Sequence, residues 1–226
     1  MIYKKFPILF YSSKFISLIP YHSWKFWYSY HKKNQTNKDK FSSVLNEVFS
    51  FDTLENFWKL YNNIPTIEHL PSNTDFFLFK DYIKPEWEDV KNKNGGRWIY
   101  DIAWDKNKHH FISTHTEQVW IKLILSLLGN LYEENEYFIC GIVLSIRHYN
   151  NKISIWTCNA KDKETNVKIG KLFKRNCELT ENDKIYYQKM DINENAKYPF
   201  KASNFEANRT RTNSKRIFKI FPQFKE

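Results

Sequence analysis

The sequence predicts a single domain that combines antiparallel β-strands with amphipathic α-helices. Its length of 226 residues fits one domain with a substantial core, and its 8 Trp, 14 Tyr and 19 Phe can fill that core. Two apolar runs, 139–147 and 152–157, are joined by a short segment that contains Asn-Asn, which is typical of a β-hairpin. Elsewhere, apolar residues recur at helical spacing. Strands and separate helices are therefore both expected.

The first strand is predicted in the aromatic segment 23–30. The apolar run before it, at 6–19, lacks a small-residue cleavage site, so we interpret it as an arm and not as a signal peptide. The polar segment 31–40 is typical of a loop; Phe41 stands at its end, and a return strand follows at 44–51. No stretch stays apolar for about 18 residues, so no membrane association is expected.

Three helices are predicted after this hairpin-like region. Asp52 and Glu55 have the spacing of a capping box and begin the first helix. The second, at 117–128, ends before Gly129, a residue suited to a left-handed cap. It is apolar on more sides than one sheet can cover, which indicates either deep burial or a second face that docks a partner. The third, at 162–175, has the pattern of an ordinary surface helix.

The loop at 84–98 carries the most informative chemistry. Trp87 lies between two carboxylates, Glu86 and Glu88, in a segment too polar for a core helix. An indole on a loop can offer its face to a flat ligand while the neighbouring acid accepts hydrogen bonds from the ligand's edge. Guanine is the obvious biological candidate. The alternative is a solvated turn whose tryptophan folds back onto the core.

The predicted hairpin adds basic residues. Alternation along the strands places Arg147 on the same face as Lys152, and like charges beside a turn favour an anion between them; solvated hairpin ends are the alternative. Trp156 lies on this face too, where an exposed indole would forfeit about 2 kcal/mol of burial unless something covers it. The formal net charge of +10 also favours a polyanionic ligand.

Cysteine and histidine positions argue against metal or redox chemistry. The three cysteines have no CxxC spacing, so we expect free, mostly buried thiols in a reducing compartment, with no metal site and no cofactor: Cys140, Cys158 and Cys177. The acid-rich constellation of a nucleotide-hydrolysing enzyme is not recognisable in the sequence. A group of histidines is interpreted as part of a solvated loop: His109, His110 and His115.

A series of motifs occurs in order between about residues 24 and 188: Ser23-Trp24-Lys25-Phe26-Trp27, Phe51-Asp52-Thr53, Phe57-Trp58-Lys59-Leu60-Tyr61-Asn62, Phe79-Lys80-Asp81, Pro85-Glu86-Trp87-Glu88-Asp89, Gly95-Gly96-Arg97-Trp98, Cys140-Gly141, Ile155-Trp156-Thr157 and Ile169-Gly170. Together they resemble the eukaryotic translation initiation factor 4E family, the messenger RNA cap-binding subunit. The resemblance implies an α+β domain with a curved antiparallel sheet of about eight strands. It also implies three helices on the convex face and a cap slot on the concave face.

The resemblance implies roles for the aromatic and acidic residues. Trp87 corresponds to one slice of the aromatic sandwich around 7-methylguanine, and Glu88 to the acid that accepts the guanine N1 and N2 hydrogens. The other slice, usually Trp in the family, falls on Phe41, with Tyr30 as the alternative. Trp156 corresponds to the residue that contacts the methyl group. Because N7 methylation makes the base cationic, an indole face and a carboxylate bind it better than unmethylated guanine.

The triphosphate ligands implied by the resemblance are Arg147 and Lys152, supported by Arg97. A basic residue that usually lies between the first two is replaced by Tyr149, which weakens the clamp. The segment at about 189–213 resembles an insertion, and two of its arginines would restore the lost charge: Arg209 and Arg211.

On the convex face, the resemblance implies a patch that docks a Tyr-x-x-x-x-Leu helix of scaffold or repressor proteins. Its apolar members are Leu54, Trp58, Ile121 and Leu125. The acid that the family carries there is replaced by Lys122, which would repel a basic residue of the docking helix.

These observations predict a cytoplasmic cap-binding protein, not an enzyme, with an N-terminal arm at 1–22 and a cap-binding domain at 23–226. It would bind the 7-methylguanosine triphosphate cap of messenger RNA and couple it to a scaffold for translation initiation. One alternative is a cap-binding homologue that represses or stores messages. A generic single-strand binder and, more weakly, a nucleotide-hydrolysing enzyme are the others.

Overall fold

The structure, a computed structural model, describes residues 20–30, 45–103 and 109–190. The strands are β1 (Trp24–Tyr30), β2 (Asn46–Phe51), β3 (Thr74–Lys80), β4 (Gly96–Ala103), β5 (Ile139–Ile146), β6 (Asn150–Thr157) and β7 (Ile185–Lys189). The helices are α1 (Leu54–Tyr61), α2 (His109–Leu128) and α3 (Lys163–Asn176). Short 3₁₀ segments at Ile67–His69 and Glu133–Phe138 precede β3 and β5.

The seven strands form one curved sheet in the order β2-β1-β3-β5-β6-β4-β7. Every neighbouring pair is antiparallel. The predicted α+β architecture with three helices is confirmed. The described ranges account for seven of the roughly eight strands expected for the fold.

The helices cover one face of the sheet. Side chains from the middle strands, such as Leu78, Ile142 and Ile155, are fully buried against apolar residues of α2, among them Leu123. Because side chains alternate along a strand, the residues between these core positions point to the opposite side. We call that side the open face; it is defined by Phe77, Arg97, Asp101, Lys152 and Trp156.

Two helix starts differ from the prediction. Thr53, and not Asp52, caps α1: its hydroxyl oxygen accepts the Asn56 N–H at 3.3 Å. Helix α2 begins at His109, well before residue 117, so the histidines there are not in a loop. His115 is half-buried on α2, with its Nε2 3.0 Å from the Tyr100 hydroxyl. The first turns of α2 carry too few apolar residues to show a helical period, which explains the short prediction.

The end of α2 also differs from the prediction. Gly129 does not adopt a left-handed conformation; the next residue, Asn130, does so with φ of 52°. Asparagine tolerates this region better than most residues with a side chain. The Leu131 N–H then bonds the Ser126 carbonyl oxygen at 2.8 Å and closes the helix.

The three cysteines are free thiols, as predicted. Cys140 and Cys177 are buried, Cys158 is half-buried, and none forms a disulfide. Within the part of the chain that the structure describes, no three or more His, Cys, Asp or Glu side chains are grouped to hold a metal ion. None of the helices in these ranges is both long and apolar enough to cross a membrane.

Candidate functional site

The loop between β3 and β4 is held in shape by its own polar side chains. Asn92 is fully buried, and its Nδ2 donates to the carbonyl oxygens of Lys84 at 2.8 Å and Glu86 at 2.7 Å. The Asp89 carboxylate accepts the Lys84 N–H at 3.0 Å. These bonds tie the two ends of the loop together around Trp87. The backbone at Trp87 is therefore fixed by hydrogen bonds and not by packing of its indole.

Trp87 itself remains half-exposed, with 50% of its surface accessible. The guanidinium carbon of Arg97 lies 5.9 Å from the centre of its ring, an arrangement suited to a cation–π interaction. Glu88, the next residue, is exposed. The indole does not fold back onto the core, so the solvated-turn alternative is wrong in that respect. The loop therefore exposes an aromatic ring and, on the next residue, a carboxylate.

Arg97 is oriented from the other side by β7. Its Nη2 and Nε donate to the Gln188 side-chain oxygen at 3.0 and 3.3 Å. Burial lowers the pKa of the Arg97 guanidinium, but an arginine keeps its charge at any physiological pH. A fixed positive charge thus lies at the base of Trp87 on the open face.

The indole of Trp156 is buried, and not exposed as predicted. It lies on the open face as expected but is only 4% exposed, and it packs edge-to-face on Phe79 with ring centres 5.3 Å apart. Ile83 from the loop after β3 and Met190 after β7 cover this end of the face. Segments outside the two strands therefore bury the ring, which alternation along β6 does not reveal. Its Nε1–H is buried without a hydrogen-bond partner among the described residues.

The β5–β6 hairpin is confirmed, with a loop shorter by one residue at Arg147–Tyr149 because β6 begins at Asn150. Ser145 pairs with Lys152 and Ile146 with Asn151. Arg147 therefore lies diagonally from Lys152 and not directly opposite it.

Both basic residues of the hairpin already have carboxylate partners. Arg147 Nη2 donates to both oxygens of the buried Asp75 carboxylate, at 2.8 and 2.9 Å. The Lys152 ammonium nitrogen lies 3.3 Å from an Asp101 oxygen. The two cations are thus compensated by carboxylates, which removes the mutual repulsion on which the predicted anion site was argued.

Asp101 organises this end of the open face. Besides Lys152, it accepts the Asn150 side-chain N–H at 2.8 Å and the Tyr186 hydroxyl at 2.7 Å. Burial, followed by the hydrogen bond to Asp101, raises the pKa of Tyr186, so that hydroxyl stays a donor at neutral pH. The carboxylate is thus held by side chains from the two neighbouring strands, β6 and β7.

Sequence reasoning missed three side chains that shape the site: Asn92, Asp75 and Asp101. A partial signal existed for the two acids, because each adjoins a run of apolar and aromatic residues in its strand, 76–79 for Asp75 and 98–100 for Asp101. A charge inside such a strand generally has a buried partner. Asn92 had no such signal, since asparagine is common in solvated loops.

The patch proposed for a partner helix is mostly covered. Leu54, Ile121 and Leu125 are buried, and Trp58 is half-buried against the ring of Phe57, 5.0 Å away. Of the two explanations for the apolar character of α2, burial accounts for most of it, because the sheet and α3 pack on this helix.

Lys122 is not unpaired as expected. Its ammonium nitrogen lies 2.8 Å from a carboxylate oxygen of Glu178, just after α3, and both side chains remain partly exposed. The Lys122 charge on α2 is therefore compensated by Glu178, and α2 does not present a lone positive charge there.

Three predicted site residues lie outside the described ranges: Phe41, Arg209 and Arg211. Tyr30, the alternative to Phe41, is exposed at the end of β1 and pairs with Thr74. The loop that carries Trp87 leaves the other end of β3, after Lys80. Tyr30 and Trp87 therefore start from opposite ends of that strand.

Known proteins share both the sequence and the fold. The sequence model of the family Eukaryotic initiation factor 4E matches residues 21–205. Eukaryotic translation initiation factor 4E-3 of Caenorhabditis elegans is 34% identical over 165 residues, which are 73% of this chain and 63% of that protein. The 4E1 protein of Drosophila melanogaster is 36% identical over 165 residues, 73% of this chain and 60% of its own length. The chain thus matches less than two thirds of the length of these relatives.

Solved structures agree with this assignment. Ascaris suum eIF4E-3, crystallised with an m2,2,7G cap, superposes with a TM-score of 0.71 at 31% identity, over 82% of this chain and 97% of that one. C. elegans eIF4E-3, solved with the 4E-binding protein Mextli and a cap analog, gives a TM-score of 0.66 at 31% identity, over 76% and 91% of the two chains. The family match spans most of the sequence, and it includes all seven strands of the open antiparallel sheet. This chain therefore belongs to the eukaryotic initiation factor 4E family.

Proposed function

We propose that this protein binds the 7-methylguanosine cap of messenger RNA and is not an enzyme. The observation that carries the proposal is the half-exposed Trp87 beside Glu88 on a loop fixed by buried hydrogen bonds. Family membership supports it, as does the cap bound to the Ascaris relative. The family role and the free thiols are consistent with a cytoplasmic protein.

The cap base would stack on the accessible face of Trp87. Its N1–H and N2–H groups would donate to the Glu88 carboxylate, on the exposed residue that follows Trp87. N7 methylation gives the base a positive charge, so both the cation–π term and the charge-assisted hydrogen bonds favour the methylated form. Discrimination against GTP then follows from charge.

The triphosphate would run along β4 and β6 toward the hairpin. In the strand register, Arg97 lies opposite Trp156 near the loop, and Asp101 lies opposite Lys152. These two positions are four residues, or about 13 Å, apart along the strands. Arg147 lies at this far end. Lys152 and Arg147 are already paired with carboxylates. A phosphate therefore gains less binding free energy at this end than it would from two unpaired cations.

The test compares 7-methyl-GTP with GTP. The protein should be retained on 7-methyl-GTP resin and eluted by 7-methyl-GTP but not by GTP, and tryptophan fluorescence should quench on titration. Equal affinity for the two nucleotides would contradict cap binding. Tight binding of uncapped RNA would favour a generic single-strand binder, and hydrolysis of the nucleotide would favour an enzyme.

Asp101→Asn should tighten 7-methyl-GTP binding by up to about 5-fold, because it removes a negative charge beside the phosphates and leaves Lys152 unpaired. Affinity for 7-methyl-GMP should change less, since a monophosphate does not reach this end. Calorimetry at two salt concentrations measures both effects, and the gain should disappear in a Lys152→Ala background.

Glu164→Gln on α3 is the control for this prediction, because it removes the same charge from a side chain that pairs with Lys168 one turn along that helix. Weaker binding by Asp101→Asn would show instead that the carboxylate is needed to position Lys152.

We propose further that a scaffold or repressor helix of the Tyr-x-x-x-x-Leu type docks beside Trp58. The C. elegans relative bound to Mextli supports a protein partner for this fold. A basic residue on the docking helix would meet Lys122 together with Glu178, so the repulsion expected from Lys122 alone is largely offset. Failure of the native protein to bind such a peptide would favour the repressor or storage alternative.

Glu178→Gln should weaken binding of a Tyr-x-x-x-x-Leu peptide that carries an arginine, by up to about 5-fold, because it leaves the Lys122 charge uncompensated. Lys122→Gln should tighten binding by a similar factor. Calorimetry on both variants and the double variant isolates the coupling between the two side chains. Unchanged affinity in both single variants would place the pair outside the docking surface.

A further inference from the structure

The tip of the β5–β6 hairpin is anchored on both sides. Arg147 Nη2 donates to the Asp75 carboxylate, and its Nη1 donates to the carbonyl oxygens of Thr74 at 3.3 Å and Ile146 at 2.9 Å. On the other strand, the Asn150 side chain donates to Asp101 at 2.8 Å. The residues between these anchors, including Tyr149, are therefore presented from a fixed base.

Tyr149 projects from this tip into solvent. It is 86% exposed, more than any other large hydrophobic side chain in the described ranges. Its ring lies near that of His148, with centres 6.4 Å apart and planes tilted by 57°, and His148 Nδ1 lies 3.4 Å from the Ser72 hydroxyl oxygen. A tyrosine so exposed forgoes burial that a flat ligand would restore.

The position of Tyr149 relative to the proposed cap site suggests what that ligand is. From Trp87 the open face passes Arg97 and then Lys152, and the hairpin tip lies beyond Lys152 in the same direction. In a capped messenger RNA the group that follows the triphosphate is the first transcribed nucleotide. Its base would reach the tip at Tyr149.

We propose that Tyr149 is a stacking platform for the base of the nucleotide that follows the cap. This inference rests on the proposed cap-binding function and extends the site from one nucleotide to two. Stacking on an aromatic ring tolerates any base, because every base has a π-face, so no sequence preference is required. The anchored tip keeps the ordering cost of the stack low.

The experiment compares 7-methyl-GTP with the dinucleotide analogue m7GpppA, by calorimetry, on wild type and variants. Tyr149→Ala should weaken m7GpppA binding by about 5-fold or more, the lower end for loss of a base–aromatic stack, and change 7-methyl-GTP binding less than about 2-fold. Tyr149→Phe should keep m7GpppA affinity, whereas Tyr149→Leu should behave as alanine. Phe111→Ala, another strongly exposed aromatic, is the matched control and should change neither ligand.

An m7Gppp analogue with an abasic riboside in place of adenosine supplies an independent measurement. Wild type should bind it no more tightly than Tyr149→Ala does. Equal losses on 7-methyl-GTP and m7GpppA, or no loss on either, would overturn the stacking role while leaving cap binding intact. Wild type that binds neither ligand would overturn the cap-binding proposal and this inference together.

Discussion

Trp87→Ala should weaken 7-methyl-GTP binding by about 5- to 150-fold, which corresponds to about 1 to 3 kcal/mol for loss of one stacked base. The effect should be confined to binding, because half of the indole is exposed and the loop is held by Asn92 and Asp89 without it. Calorimetry gives the affinity, and thermal unfolding should show little change in stability.

Glu88→Gln belongs to the same prediction, because it removes the charge that assists the guanine hydrogen bonds while it keeps the size of the side chain. It should reduce the preference for 7-methyl-GTP over GTP. Tyr82→Ala, an exposed aromatic on the same loop, is the matched control and should leave the affinity unchanged. If Trp87→Ala and Glu88→Gln both bind as wild type does, the cap base lies elsewhere.

Asn92→Ala should cost about 1 to 3 kcal/mol of the free energy of unfolding and weaken cap binding as well. The substitution leaves the carbonyl oxygens of Lys84 and Glu86 without the donor that they now share. Trp87 would then lose its fixed position, and the entropy cost of ordering the loop would reduce the free energy of cap binding. Urea unfolding and calorimetry measure the two effects.

Asn94→Ala is the control for this second prediction, since Asn94 is an exposed asparagine on the same loop. It should change neither stability nor affinity by more than about 0.5 kcal/mol. A destabilised Asn92→Ala protein that keeps wild-type cap affinity would show that the loop does not preorganise Trp87.

Local patterns predicted most of the fold. The hairpin followed from two apolar runs around Asn-Asn, and α1 and α3 followed from their apolar stripes. The errors came where the local signal was ambiguous or weak: either Asp52 or Thr53 can cap α1, and the first turns of α2 have no apolar period. Such errors move boundaries without changing the architecture.

The candidate site was predicted less completely. Trp87 and Glu88 were identifiable because a tryptophan beside an acid in a polar loop is unusual, and the structure leaves the indole accessible as that prediction requires. Trp156 was placed on the correct face but with the wrong exposure, because Ile83 and Met190 reach it from segments that strand alternation does not describe.

By itself the sequence determined the family and the order of the elements, since motif spacing and hydrophobic period are properties of neighbouring residues. Only the tertiary structure decided which charges neutralise each other: Arg147 pairs with Asp75 across 72 residues, and Lys122 with Glu178 across 56. The physical reason is that an ion pair depends on strand register and helix docking, which bring together side chains that no local pattern relates.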